Sequence, residues 1–216
     1  MNAVEINHLP IAKTIVEKLQ AAGYVALFAG GAVRDLLMQR PCEDIDIATS
    51  AHPHQVMALF KKSIPVGAQF GVVLVIEEGQ EFEIATFRSD SQYVDGRHPK
   101  TVDLSATMQE DALRRDFTIN GMMYDPITEI IYDFVGGQKD LKNQLIKTIG
   151  SPHDRFNEDR LRMLRAIRFK NVLGFTMEEE TLASLCSLTP HIVPSVSPER
   201  IWQELFKMHQ KRVLSA

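Results

Sequence analysis

The chain has 216 residues, is 44% hydrophobic and carries a formal net charge of −4. It can therefore fill one large or two small apolar cores, but it offers no overall basic surface to a nucleic acid. Its two cysteines, Cys42 and Cys186, stand far apart in no metal-ligand spacing, which argues against a disulfide framework or zinc cluster.

No apolar run approaches the ~20 residues of a membrane helix, and the N-terminus has neither the basic nor the apolar region of a signal peptide, so a cytoplasmic protein is expected. Residues 10–22 place Ile11, Ile15, Val16 and Leu19 on one face and end at Gly23, predicting an amphipathic helix with a glycine stop. Next, the apolar run Ala26 to Ala29 breaks at Gly30 and Gly31, and a helix-like segment follows from Ala32 to Met38. This is a strand, a glycine turn and a helix start, where exposed amides and the positive helix end can hold a triphosphate. Ile45 and Ile47 then alternate with Asp44 and Asp46, as a half-buried strand requires. The two aspartates project from one face, roughly 6 to 7 Å apart at Cα.

Mg²⁺ favours a few carboxylates completed by phosphate oxygens, and two such ions can clamp the attacking and leaving oxygens of a phosphoryl displacement. An isolated Asp-x-Asp is more often a pair of solvated surface carboxylates. Beside a phosphate-holding turn it points to phosphoryl or nucleotidyl transfer.

A short helix near 53–60, a small strand over 63–66 and a hairpin of 72–76 with 81–88 come next. Glu83, on the second arm, could complete the metal site or polarise an attacking hydroxyl; the alternative is a solvent-facing strand glutamate. Residues 89–103 lack an apolar period and contain Gly96 and Pro99, so they read as a long polar loop. From Thr107 a helix leads through Arg114, Arg115 and Asp116 to Phe117, Ile119 and Met122, which look buried. Guanidinium forks match phosphate oxygens, and the adjacent carboxylate could accept from a ribose hydroxyl. Two short strands, 122–125 and 130–134, and a helix opening at Gly136 follow.

Near Gly150 the pattern becomes helical only. Ser151 to Asp154 form an N-cap with proline at the first helical position, and one long helix is predicted to Leu173, stopping at Gly174. A domain boundary near 148 separates an α/β domain, 1–148, from a helical one, 149–216. The long helix carries Arg155, Arg160, Arg162, Arg165, Arg168 and Lys170, a local basic surface on an acidic chain. Asp159 and Arg162 are three apart, hence on one face and able to pair. An acceptor and a donor fork held side by side can read the Watson–Crick edge of a base; the plainer reading is a helix salt bridge of about 0.2 to 0.5 kcal/mol. Trp202 reads as a buried helix residue rather than a base-stacking platform.

The ordered set GlyGlyAlaValArgAsp, AspIleAsp, GluIleAlaThrPheArg, TyrValAspGlyArgHisPro, ArgArgAspPheThrIleAsn, AspPheValGlyGly and GluAspArgLeuArgMetLeuArgAlaIleArgPhe resembles the bacterial class II tRNA nucleotidyltransferase/poly(A) polymerase family. The resemblance covers about residues 20–205. It implies an α+β fold: a DNA polymerase β-like nucleotidyltransferase head with a mixed sheet, followed by an all-helical neck. It makes Asp44 and Asp46 the Mg²⁺ ligands, with Glu83 a further catalytic candidate. Gly30, Gly31 and Arg34 would lie near the triphosphate, and Arg114, Arg115 and Asp116 would contact ribose and phosphates. Asn120, Arg165 and Arg168 join the nucleotide-binding set, while Asp159 and Arg162 would pair with incoming CTP or ATP as a protein template. Residues 133–137 would form a hinge, and Tyr93 to Pro99 a mobile loop needed for the last A.

The implied activity is Mg²⁺-dependent addition of CCA, from CTP and ATP, to the 3′ end of tRNA with release of pyrophosphate. Poly(A) or A-only addition is the alternative within the family, and a non-catalytic nucleotide-binding fragment the alternative outside it. The 89–100 segment argues against a CC-only enzyme, and residues 66–73 look more like CCA-adding members than like bacterial poly(A) polymerases. Family members continue into further helical domains, so a head and neck fragment with intact nucleotide binding and reduced tRNA affinity is expected. The sequence carries no signature of oligomeric state.

Overall fold

Ala12, Ile15, Val16 and Leu19 repeat at helical spacing, and in the computed structural model they are the buried face of α1, His8–Ala21. The structure describes residues 8–42, 44–67, 70–90 and 102–213. β1, Ala26–Ala29, is buried at every position, which explains its apolar run without alternation. Gly30 then turns the chain into α2, Gly31–Leu37. β2, Asp46–Thr49, returns antiparallel to β1 with Asp46 opposite Ala29. After α3, Pro53–Leu59, come β3, Ser63–Gly67, β4, Val72–Glu77, and β5, Gln80–Thr86. Glu78 and Gly79, both at positive φ, make the tight turn between β4 and β5.

β5 lies parallel to β2, with Ile84 opposite Ile47. Two later strands, numbered β8, Met123–Asp125, and β9, Ile130–Tyr132, complete a mixed sheet in the order β3-β4-β5-β2-β1-β8-β9. The centre of that sheet brings the end of β1, the start of β2 and the start of β8 to one edge.

The 89–103 stretch is not loop throughout, because β6, Ser89–Asp90, pairs antiparallel with β7, Val102–Asp103. A ladder uses backbone groups, so a polar segment can form one without an apolar period. The Tyr93 to Pro99 segment lies outside the described residues. α4, Met108–Leu113, opens with the Thr107 and Glu110 capping box. It ends before Arg114, so Arg114 to Asp116 sit in a non-helical link ahead of the fully buried Phe117, Ile119 and Met122. The expected hinge is a compact turn in which the Asp133 carboxylate accepts the amides of Val135, Gly137 and Gln138 before α5, Gly137–Lys142.

The single helix expected over 152–173 is two helices: α6, Pro152–Glu158, and α7, Leu161–Leu173. Asp159 is extended between them, at φ −146° and ψ 107°, and its carboxylate accepts the Leu161 amide at 3.0 Å. A short carboxylate that bonds nearby amides competes with the helical ladder and starts a new helix. β10, Leu145–Ile146, pairs parallel with β11, Thr176–Met177, a two-residue strand within the otherwise helical region. α8, Glu179–Leu188, α9, Ile192–Ser195, and α10, Pro198–Val213, follow.

One apolar cluster packs α1, α2 and α3 on the large sheet. A second joins Phe117, Ile119 and Ile146 to Phe156, Met163, Ala166, Phe169 and Leu185, which fixes α7 against the sheet edge. Trp202 is 68% exposed, contrary to the expectation of burial. Helical spacing puts it with Leu205 and Phe206 on the outer face of α10, while the buried Glu204 faces inward. Among the described residues no helix is long and apolar enough to cross a membrane.

Candidate active site

A cleft of about 670 Å³ opens between the sheet edge, α7 and α10. Every residue predicted for the site except Glu83 lines it. Nine cationic side chains and five carboxylates face this space, an excess of positive charge on a chain that is negative overall and one that suits a polyanion.

At one end lie the acidic residues. Asp44 precedes β2 and Asp46 is its first residue; both are exposed to the cleft while Ile45 and Ile47 between and beyond them are buried, as predicted. The parallel register sets Glu83 beside Asp46 on β5. Desolvation by the cleft walls raises the Asp46 carboxyl to about 6; Glu83 and Asp44 add to the rise, and Arg115 and Arg165 oppose it. Among the described residues no group of three His, Cys, Asp or Glu side chains is placed to hold one ion, and the charge of Glu83 acts on Asp46. Burial, then Asp35, pushes the nearby Cys42 thiol up to about 11, which keeps it protonated and unreactive.

The glycine turn is tightly fitted. Gly30 has φ +69°, and a Cβ there would stand 3.2 Å from Nη1 of Arg115 and 3.7 Å from Oδ2 of Asp46. Arg34, on α2, is held by Asn120 at 2.8 Å and by both oxygens of Asp35 at 2.9 and 2.8 Å. α2 has only seven residues, so the positive charge of the cleft comes chiefly from guanidinium groups.

Asp116 accepts from the Phe117 amide at 2.8 Å, from Asn120 at 3.4 Å and from Arg165 at 2.6 Å. Its burial would raise the carboxyl, but Arg165, the Phe117 amide and Arg162 outweigh that and hold it below the ordinary range. Asp116 therefore anchors Arg165 as an ionised partner.

The expected Asp159–Arg162 side-chain pair is not made. With Asp159 outside the helix, its carboxylate pairs with Arg200 at 3.0 Å, and Arg162 pairs with Glu158 at 2.6 Å. Both still line the cleft. The basic run is likewise not a solvent-facing stripe: Arg162, Arg165 and Arg168, three apart, face the cleft, while Arg155 and Arg160 bond to Glu158, Ser195 and backbone carbonyls. Phe169 underlies the cations, with the guanidiniums of Arg34, Arg165 and Arg168 5.3, 5.4 and 4.2 Å from its ring centre.

The sequence profile of the poly A polymerase head domain matches residues 26–147, over half of the chain. The chain belongs to the class II CCA-adding enzyme and poly(A) polymerase family. A second profile, the probable RNA and SrmB-binding site of polymerase A, matches residues 174–210. A CCA-adding enzyme of Enterococcus faecalis is 44% identical over 202 residues, 94% of this chain and 49% of that protein. The structure of the Bacillus stearothermophilus CCA-adding enzyme in complex with CTP superposes with a TM-score of 0.85 at 38% identity, covering 95% of this chain and 49% of that one. The Thermotoga maritima CCA-adding enzyme complexed with tRNA gives 0.74 at 26% identity, covering 95% and 48%. The chain spans about half the length of the curated relatives it matches.

Within this family member, sequence reasoning missed Asp35, Arg88, Leu161, Phe169, Arg200, Lys207 and Gln210, all of which line the cleft. Arg200, Glu204 and Lys207 recur at helical spacing opposite Trp202, Leu205 and Phe206, and that charged stripe was the available signal. Glu204 receives Arg168 at 2.6 Å, so α10 closes the Asp159 end of the cleft through two ion pairs.

Proposed function

We propose that the chain carries the catalytic and nucleotide-selecting centre of an RNA nucleotidyltransferase that adds CCA, from CTP and ATP, to the 3′ end of tRNA. Residues 1–148 are its head and 149–216 belong to its neck. The observation that carries this reading is the convergence of Asp44 and Asp46 with Asp159 and Arg162 on a single cation-rich cleft. Carboxylates for metal stand at one end and base-reading groups at the other.

In this reading Arg34, Arg114 and Arg115 bind the phosphates, and Asp116 holds Arg165 beside them. Asp159 accepts from the exocyclic amine of cytosine or adenine, and Arg162 donates to the adjacent ring nitrogen. Uracil and guanine present a carbonyl oxygen where that amine would be, and an oxygen facing the Asp159 carboxylate is repelled. Arg200 and Glu158 hold the two template groups in place before the base arrives. Asp44 and Asp46 offer hard, cleft-facing oxygens of the kind Mg²⁺ prefers, and they would hold it. Bound there, Mg²⁺ would supply charge neutralisation at the phosphates and favour attack by the RNA 3′-hydroxyl on the α-phosphate.

The test is a gel assay with labelled tRNA lacking its 3′ end, given CTP, ATP, or both. Two additions with CTP and three with the mixture support CCA addition; a single A with ATP alone, or a long ladder, favours the A-adding or poly(A) alternative. Asp44→Ala should abolish incorporation with an unchanged melting temperature. Incorporation by that variant contradicts the metal assignment.

A further inference from the structure

Asp111, on α4, stands outside the predicted site and does not line the cleft, yet it is 1% exposed and organises two residues that do. Its Oδ1 accepts from Arg114 Nε at 2.9 Å and Nη2 at 2.7 Å, and from the Arg88 amide at 3.2 Å. Its Oδ2 accepts from Arg115 Nη2 at 2.8 Å and Nε at 3.2 Å. Each oxygen thus grips the same edge of a different guanidinium. Burial would raise this carboxyl, but Arg115 and Arg114 outweigh it and hold Asp111 below its ordinary range, hence ionised.

Arg114 Nε also donates to the Arg88 carbonyl at 3.0 Å, but both arginines sit in a non-helical link with competing carboxylates close by. Arg115 Nη1 already lies against Gly30 on the side of Asp46, so an unrestrained Arg115 could close onto Asp46 and neutralise the metal-binding end. A buried anion that takes the Nε and Nη2 edge of both guanidiniums fixes their planes and leaves a surplus of positive charge directed at the cleft. Pre-set donors bind a polyanion without first having to be ordered.

We propose that Asp111 is a positioning residue for polyphosphate binding, setting Arg114 and Arg115 so that they take the phosphates of an incoming nucleoside triphosphate. The proposal rests on the nucleotide reading above. It concerns the phosphates and not the base, which gives it a signature of its own. Asp111→Asn keeps the volume of the side chain and removes its charge.

Isothermal titration of the chain with ATP and Mg²⁺, and separately with AMP, reads that signature. ATP affinity should fall at least tenfold in Asp111→Asn while AMP affinity changes less than twofold, because AMP lacks the phosphates that the two arginines reach. Equal weakening of both ligands, or of neither, overturns the proposal, since a packing role would not distinguish them. If Asp111→Asn does not fold, Asp111→Glu, which keeps the charge but displaces it by a methylene, should lower the ATP-to-AMP preference in the same direction. An unchanged preference in that variant overturns it. A wild-type chain that binds neither ligand refutes the nucleotide reading itself, and the proposal with it.

Discussion

Replacing Gly30 by alanine separates the strain of the glycine turn from its role in the cleft. At φ +69° and ψ −133° an L-residue is strained by about 1 to 3 kcal/mol, and for a chain of this size ~2 kcal/mol lowers the melting temperature by about 4 to 8 °C. Gly79→Ala is the matched control: it has φ +79°, sits in the hairpin turn, and its added Cβ would meet nothing within 4 Å. Gly30→Ala should lose at least as much stability as Gly79→Ala.

Only Gly30→Ala adds a contact, 3.2 Å from Arg115 Nη1, and the guanidinium must retreat by a few tenths of an ångström against the bonds that its Nη2 and Nε make to Asp111 at 2.8 and 3.2 Å. A charge-assisted hydrogen bond contributes roughly 1.5 to 3 kcal/mol, so losing about half of one phosphate contact weakens ATP binding on the order of tenfold. Scanning calorimetry and titration with ATP and Mg²⁺ measure both effects. Equal nucleotide affinity in Gly30→Ala and Gly79→Ala would refute the claim that Gly30 keeps Arg115 in register.

Arg200→Ala should leave the phosphate-binding end intact but release Asp159, raising the misbinding of UTP and GTP relative to CTP by roughly threefold to tenfold; unchanged selectivity in competition titrations contradicts the pairing role. The Asp46 carboxyl is raised to about 6 from 3.8, so in the metal-free fold its contribution to stability is fully present only below pH 3.8 and is lost as pH rises from there through about 6. Mg²⁺ needs the ionised form, so the increase in melting temperature that it produces should shrink between pH 7.5 and pH 5.5; a constant increase would contradict the assignment of Asp46 as a ligand. Trp202→Ser, on the outer face of α10, should leave CTP and ATP affinity within twofold of wild type in the same titrations.

What could be read in the sequence was set by local rules. The strand, glycine turn and aspartate alternation from Ala26 to Ile47 depend on period-two burial and on a positive φ at Gly30, both visible in residue type. The break at Asp159 was hidden because a regular apolar spacing continues across it, and only the carboxylate's bond to the Leu161 amide reveals a second helix start. The partners of the site residues were beyond local reasoning. Asp159 finds Arg200, Arg165 finds Asp116 and Arg168 finds Glu204 through the packing of α7 against α10 and the sheet edge. Trp202 was misplaced for a related reason: a lone tryptophan suggests burial, but the charged stripe of Arg200, Glu204 and Lys207 claims the inner face.

The central claim is that protein side chains in this cleft choose the nucleotide. Titrating the chain with CTP, ATP, UTP and GTP in the presence of Mg²⁺ tests it most directly. CTP and ATP should bind with comparable affinity and UTP and GTP at least tenfold more weakly, a preference lost in Asp159→Ala. Four equal affinities, or a preference that survives Asp159→Ala, would contradict it.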